Sequence, residues 1–272
     1  MAHTEIQDQD ETGADTEGLP FVAPCRTLTP GASLQWLALG WQDFKRAPAV
    51  SLVYGGVLVA LCYVMAFLTW KLGGYVLILG LVSGFVFIAP ALALGLYSIS
   101  CQLQRGLEPR IGYCLREGRR HLGNELVYSM ILLVIFLLWV RAASVVHIFF
   151  PMEADPDIAD LALFLVVGCS VGALFSALVF AASAFSLPMM LDRQADTVTA
   201  VLTSVHAVLN NKGPMLVWAL MIGLALLASA LTAFLALTVL LPVLGYATWH
   251  GYRATIQADA WPRYVDMPTD TG

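Results

Sequence analysis

Residues 50–70 read VSLVYGGVLVALCYVMAFLTW, and no charged side chain interrupts them. Three similar apolar runs follow: 74–99 and 161–188 contain no charge, and 126–150 contains only Arg141. A helix needs roughly 20 apolar residues to cross a hydrocarbon core about 30 Å thick, and it satisfies its own backbone hydrogen bonds, which lipid cannot do. These four runs therefore predict transmembrane α-helices.

The last apolar run, 213–252, is too long for one crossing. At about 1.5 Å per residue a single helix would extend roughly 60 Å, about twice the core thickness. Two spans, 214–231 and 234–252, joined by a tight turn around 229–233, fit better. The predicted fold is an all-α polytopic membrane protein with six transmembrane helices, and the alternative has five spans with a long kinked last helix.

The composition supports a membrane domain between two polar tails. Hydrophobic residues make up 59% of the 272-residue chain and charged residues only 12%, whereas soluble proteins carry about 25% charged residues. Residues 1–20 hold six acids and no Lys or Arg, a composition typical of disorder. We therefore predict a disordered acidic tail over 1–20, a single transmembrane domain over 33–253 and a short tail over 254–272.

The basic residues predict the orientation, because Lys and Arg collect in cytoplasmic loops. With six spans, most of them fall on one side of the membrane, and the opposite side receives Lys71 and Arg141. Both termini are therefore expected to be cytoplasmic, in a bacterial inner membrane. The basic residues of the cytoplasmic side are Lys45, Arg46, Arg105, Arg110, Arg116, Arg119, Arg120, Arg193, Lys212 and Arg253.

Three segments that precede spans, 33–47, 108–124 and 195–210, carry apolar residues on one helical face. This pattern is typical of amphipathic helices that lie in the membrane interface. The second span after each segment contains one proline: Pro90, Pro188 or Pro242. The order of interfacial helix, span and span suggests three parallel repeats, each with an even number of spans.

Five residues are candidates for function. Arg141 lies deep in the third span, where charged residues are rare and often functional. It either faces a cavity or partner, with Asp155 and Asp157 as the expected partners if it faces inward at the outer rim of the bundle, or reaches the outer headgroups. Asp192 and Arg193 close the fourth span and form a possible local ion pair. His147 and His250 raise the question of haem, but six spans place them at opposite ends of the bundle, so they cannot ligate one iron.

The sequence carries no catalytic signature and no metal-ligand pattern. None of the motifs GxSxG, HExxH, GxGxxG or the P-loop occurs, and the cysteines form no CxxC pair. We therefore expect a protein without enzymatic activity, bound cofactor or metal site. The basic segment near Arg116 indicates attraction to anionic lipid rather than to nucleic acid.

Several short blocks resemble the proteobacterial membrane proteins grouped as domain of unknown function 2189. The resemblance implies a bacterial membrane protein and transfers no activity. The blocks are Gly40-Trp41-Gln42-Asp43-Phe44, Pro90 with Leu94-Gly95-Leu96-Tyr97, Leu138-Trp139-Val140-Arg141, Leu187-Pro188 with Leu191-Asp192-Arg193, Thr199 to Ser204, Pro214-Met215, and Leu241 to His250.

The leading functional hypothesis is an accessory or scaffold component of a membrane complex, with the respiratory chain as one setting that the family resemblance implies. The expected partners are membrane lipids and another membrane protein complex. The alternative is a carrier of small solutes or lipids, with Arg141 and the prolines marking a cavity and hinges. An electron carrier with haem is the third hypothesis, which the histidine positions disfavour.

Overall fold

A computed structural model describes residues 20–110, 112, 122–149 and 157–263, and within these ranges the chain is built from nine α-helices and two isolated β-bridges. The all-α fold class is confirmed. The helices are α1 (Ala32–Arg46), α2 (Pro48–Leu72), α3 (Tyr75–Gln104), α4 (Leu122–Phe149), α5 (Ile158–Ser183), α6 (Ser186–Asp192), α7 (Thr197–Asn210), α8 (Lys212–Leu231) and α9 (Leu237–Thr255).

Five helical segments of the described chain are long and apolar enough to cross a membrane. They confirm a polytopic membrane protein. The sixth predicted span corresponds to α9, which is not among these five. The five segments are Pro48–Lys71, Gly80–Gln104, Gly123–Phe149, Ile158–Asp192 and Lys212–Leu231.

The last apolar run divides into two helices, so the alternative of one long kinked helix is wrong. Ala233 and Phe234 adopt left-handed φ angles of 50° and 66°, which no helix interior accommodates. The Phe234 amide donates to the carbonyl of Ser229 at 2.7 Å and closes the turn. The break falls at 232–236, slightly later than the predicted 229–233.

Most side-chain burial lies at one end of the helix bundle. The packed end, as we call it, contains α1, α6, α7, residues 94–102 of α3, the first turns of α4 and α8, and residues 242–255 of α9. The opposite half is the open end, comprising residues 57–82, 130–149, 158–178 and 220–235. Its apolar side chains are mostly exposed, meaning that the described residues do not cover them.

Helix α9 runs through the middle of the packed end, and glycines of two helices let it approach closely. A Cβ on Gly40 of α1 would lie 2.5 Å from the Val243 carbonyl oxygen. Pro242 cannot donate the helical hydrogen bond to the Thr238 carbonyl, and Gly55 of α2 lies directly against that oxygen. These glycines therefore allow α1 and α2 to pack closely against α9.

The amphipathic helix predicted over 33–47 is α1, but its buried face differs from the apolar face seen in the sequence. Ser33, Trp36, Gly40 and Asp43 are buried, whereas Leu34 and Trp41 are exposed and Leu37 is half-buried. Phe44 joins the buried face and stacks on Trp41, with ring centroids 5.4 Å apart. The apolar face of α1 thus points mainly away from the rest of the protein.

The other predicted interfacial segments have different outcomes. Segment 195–210 contains α7, which also turns its apolar face outward. Segment 108–124 falls largely outside the described residues. The order of interfacial helix, span and span that the repeat predicts is present in α1–α3. The same order of helices occurs in α7–α9, although α9 is not among the five segments, and Pro90 and Pro242 lie inside their helices. The threefold repeat stays a prediction.

The two ends of the described chain pair with each other. The Arg26 amide donates to the Thr255 carbonyl at 2.8 Å, and the Gln257 amide donates to the Pro24 carbonyl at 2.9 Å. Trp261 is buried, so residues 256–263, assigned from sequence to the short C-terminal tail, pack against the protein. The predicted disordered tail over 1–20 lies outside the described residues except for Pro20.

Candidate functional site: two buried polar clusters and an apolar groove

Asp192 is the centre of the first polar cluster, at the C-terminal end of α6. Its Oδ2 accepts hydrogen bonds from the Tyr252 hydroxyl at 3.0 Å, from Arg253 Nη1 at 3.2 Å and from Arg193 Nε at 3.2 Å. The carboxylate is buried, and two guanidinium groups supply the opposite charge. The ion pair predicted between Asp192 and Arg193 is present, and Arg253 extends it to α9.

Arg193 connects this cluster to the C-terminal segment. Its Nη1 donates to the Trp261 carbonyl at 2.8 Å, and its Nη2 contacts Asp259 Oδ1 at 3.1 Å. A buried guanidinium is costly unless its donors are paired, and each of its three nitrogens has a partner here. Arg193 therefore positions residues 256–263 against α6 and α9.

Asp43 is the centre of the second cluster, and sequence reasoning missed it. Its Oδ2 accepts from Ser100 Oγ at 2.7 Å and contacts His250 Nε2 at 2.8 Å, while Arg46 lies 3.9 Å from Oδ1. Asp43 and Ser100 are buried, so α1, α3 and α9 meet at this carboxylate. The signal in the sequence was a charged residue one turn after Gly40, on the side of α1 that approaches α9.

His250 uses both ring nitrogens inside the protein. Nε2 contacts Asp43, and Nδ1 contacts Gln104 Nε2 at 2.9 Å. The same Gln104 accepts from Trp249 Nε1 at 3.0 Å. A metal ligated by His250 would have to displace one of these contacts, so the arrangement orients the imidazole rather than presenting it to an iron.

Arg141 and His147 lie at the open end, away from both clusters. Arg141 is exposed and makes no ion pair with any described residue. Of its two expected partners, Asp155 is outside the described residues. Asp157 instead caps α5, its Oδ1 accepting from the Ile158 amide at 2.7 Å. No contact among the described side chains supports the expectation that Arg141 faces inward beside these acids.

His147 lines an apolar groove of about 700 Å³ between α3 and α4. On α3 the groove is lined by Ile78 and Val82, which precede Pro90, whereas the buried part of α3 begins at that proline. Ser144 is satisfied within its own helix, donating to the Val140 carbonyl at 2.8 Å. The lining residues are Ile78, Val82, Phe136, Trp139, Val140, Ala143, Ser144, His147 and Ile148.

The structure brings together some of the predicted residues and separates others. Asp192 and Arg193 form one cluster and His250 belongs to another at the same packed end, while Arg141 and His147 lie at the far end of the bundle. Within the described ranges no group of three His, Cys, Asp or Glu side chains is arranged to hold a metal ion.

The DUF2189 region

The amino-acid sequence of α3–α6 is similar to a known family. The model of the family described as "Predicted integral membrane protein (DUF2189)" matches residues 77–192. Residues 77–192 are therefore similar to this family, and we call them the DUF2189 region. The sequence resemblance is thereby confirmed over this range, and the protein is an integral membrane protein. No curated protein and no solved structure matches the chain significantly.

The DUF2189 match covers most of α3, all of α4 to α6 and the apolar groove. It includes Arg141, His147 and Asp192, ends one residue before Arg193 and excludes His250. The sequence blocks before residue 77 and after 192 lie beyond the match. The family description names a membrane protein and no activity.

Proposed function

We propose that this protein is a non-enzymatic accessory or scaffold component of a membrane complex. The proposal rests on the exposed apolar surface of α4 and α5. In the most apolar 18-residue stretch of each helix, no residue is buried inside the protein. Both helices belong to the DUF2189 region. They offer a broad lateral surface on which helices of another membrane protein can pack.

The groove between α3 and α4 favours this function over transport of polar solutes. Its lining is apolar apart from His147 and Ser144, and the Ser144 hydroxyl is already bonded to its own helix. A carrier of ions or polar solutes needs polar groups along its path through the membrane. A lipid carrier is the second candidate, because an apolar groove of about 700 Å³ suits an acyl chain.

We further propose that α9 is the sixth crossing and that both termini are cytoplasmic, in the inner membrane. The pairing of Pro24 and Arg26 with Thr255 and Gln257 brings both ends of the described chain to the packed end, as an even number of crossings requires. Most of the described Lys and Arg residues also lie at that end, with Lys71 and Arg141 as the exceptions at the other. The positive-inside rule then assigns the packed end to the cytoplasm.

The scaffold proposal is tested by affinity purification from membranes in a mild detergent, followed by identification of co-purifying proteins. Gly172→Leu on α5 is informative because a Cβ at Gly172 meets no atom of the described residues within 4 Å. A bulky side chain there changes the outer surface without disturbing internal packing. Gly223→Leu on α8 is the matched control, because Gly223 is equally open and lies outside the DUF2189 region.

We expect wild type and Gly223→Leu to retain the same membrane partner and Gly172→Leu to lose most of it. Retention by all three proteins would exclude the α5 surface as the contact. A wild-type protein that is recovered alone, under conditions that preserve other membrane complexes, would contradict the scaffold function. Ala143→Trp, which fills the groove, should abolish lipid transfer between vesicles only if the lipid-carrier candidate is correct.

A further inference from the structure

Helix α7 is amphipathic in the reverse sense to a helix of a water-soluble protein. Its inward face consists of small and polar residues, of which Thr197, Ala200, Thr203 and Ser204 are buried. Its outward face is apolar: Val198 is 54%, Leu202 43% and Leu209 56% exposed. These outward residues, with the half-buried Val205, form what we call the α7 stripe.

The polar side chains of the inward face have partners inside the protein. Thr197 Oγ1 donates to the Asn124 carbonyl at 3.0 Å, and Ser204 Oγ donates to the Ala181 carbonyl at 2.7 Å. The Thr203 hydroxyl accepts from the Ala23 amide at 3.0 Å. These contacts fix the rotation of α7 about its axis, so the α7 stripe cannot turn inward without breaking them.

The neighbouring spans fix the level of α7 relative to the membrane. Four residues separate the segment Ile158–Asp192 from Thr197, the first residue of α7. A single residue separates the end of α7 from the next membrane-crossing segment, which begins at Lys212. A helix of 14 residues is about 21 Å long, and both of its ends are held at the ends of spans. The helix therefore lies at the boundary of the bilayer.

We propose that the α7 stripe binds the phospholipid bilayer, with α7 lying in the plane of the interface at the packed end. Helices that lie in this plane bury an apolar face at the boundary between headgroups and acyl chains. The exposed Lys212 follows the stripe immediately, where its ammonium group can reach anionic phosphates while its stem lies on apolar surface. Contact of the α7 stripe with lipid does not depend on whether α5 binds a partner protein.

The test places an encoded fluorescent amino acid at Leu202 in the full chain, which leaves the native cysteines unchanged. The protein is reconstituted in vesicles of phosphatidylethanolamine and phosphatidylglycerol that contain lipids spin-labelled near the top of the acyl chain. Quenching by these lipids is compared with quenching by iodide in the water phase. The same probe at Leu220, exposed on α8, is the lipid-facing control, and at Glu108, exposed in the loop after α3, the water-facing control.

We expect the probe at Leu202 to behave like the one at Leu220, with quenching by the shallow spin-labelled lipids at least about threefold stronger than at Glu108. Iodide should quench it weakly. Iodide quenching equal to that at Glu108 would overturn the proposal, because the stripe would face water. Protection from both quenchers would overturn it in favour of a second protein on this face. A probe at Leu209 repeats the measurement should the Leu202 variant fail to fold.

Discussion

The packed end and the open end of the bundle are stabilised by different contacts. At the packed end, buried aromatic rings and two carboxylates, Asp43 and Asp192, are surrounded by other parts of the same chain. At the open end, Trp70, Phe149 and Leu231 are each at least 75% exposed. The packed end therefore stabilises itself, whereas the open end depends on lipid or another protein.

The largest difference is expected between two tryptophans of α1. Trp36 is 2% exposed and packs edge-on against Phe185 and Trp218, so Trp36→Ala should cost about 3–5 kcal/mol of unfolding free energy. Trp41 lies one turn further and is 46% exposed, so Trp41→Ala should cost less than half as much. Thermal unfolding in detergent measures both, and equal losses would contradict the described orientation of α1.

Two aspartates, one buried at the packed end and one exposed on α5, should differ in their contribution to stability. Asp192→Ala leaves the buried Arg193 without its nearest carboxylate and should cost about 3 kcal/mol or more. Asp160→Ala, at an exposed position in the first turn of α5, should change stability by less than about 1 kcal/mol. The same unfolding measurement decides, and a stable Asp192→Ala protein would show that the cluster is not needed to hold the C-terminal segment.

Two glycines test the same contrast through packing. Gly40→Ala places a methyl group 2.5 Å from the Val243 carbonyl oxygen and should cost about 1–3 kcal/mol. Gly223→Ala meets nothing within 4 Å and should be neutral or stabilise by up to about 1 kcal/mol, because alanine is the better helix former. If both variants proved neutral, α1 and α9 would be further apart than described.

The smallest effect is expected for Arg141. It is exposed and has no ionic partner among the described residues, so Arg141→Lys and Arg141→Gln should each change the unfolding free energy by no more than about 0.5 kcal/mol. Equal behaviour of the two variants and wild type would identify Arg141 as a headgroup anchor. If Gln were tolerated poorly and Lys well, the charge itself would matter; a defect of Lys as well would indicate a planar, paired guanidinium.

The sequence was sufficient to predict five spans, because length and lack of charge are enough to identify a membrane helix. It predicted amphipathic helices at α1 and α7 but not which of their residues pack inward. In a soluble protein the apolar face is buried, but at a membrane the small and polar residues build the contact and the apolar residues face outward. Ser33, Gly40 and Thr203 were therefore overlooked in favour of Leu34 and Leu202.

The polar clusters were only partly predictable. Asp192 and Arg193 are adjacent in sequence, so their pairing could be expected, whereas the contact between Asp43 and His250 joins residues 207 positions apart. Nothing in local spacing predicts such a pair. The Gly40-to-Phe44 block, noted in the sequence only as a family resemblance, contains both the close-packed glycine and the buried carboxylate.

The topology with six crossings is tested most directly by determining on which side of the membrane the packed end lies. A reporter that is active only in the periplasm is fused after Gly272 and, separately, inserted between Gly73 and Gly74 at the open end, with a cytoplasmic fluorescent reporter as the complement. We expect fluorescence and no periplasmic activity at Gly272, and periplasmic activity at the 73–74 insertion. Strong periplasmic activity at Gly272 would contradict the topology with six crossings, because α9 would then not return the chain to the cytoplasm.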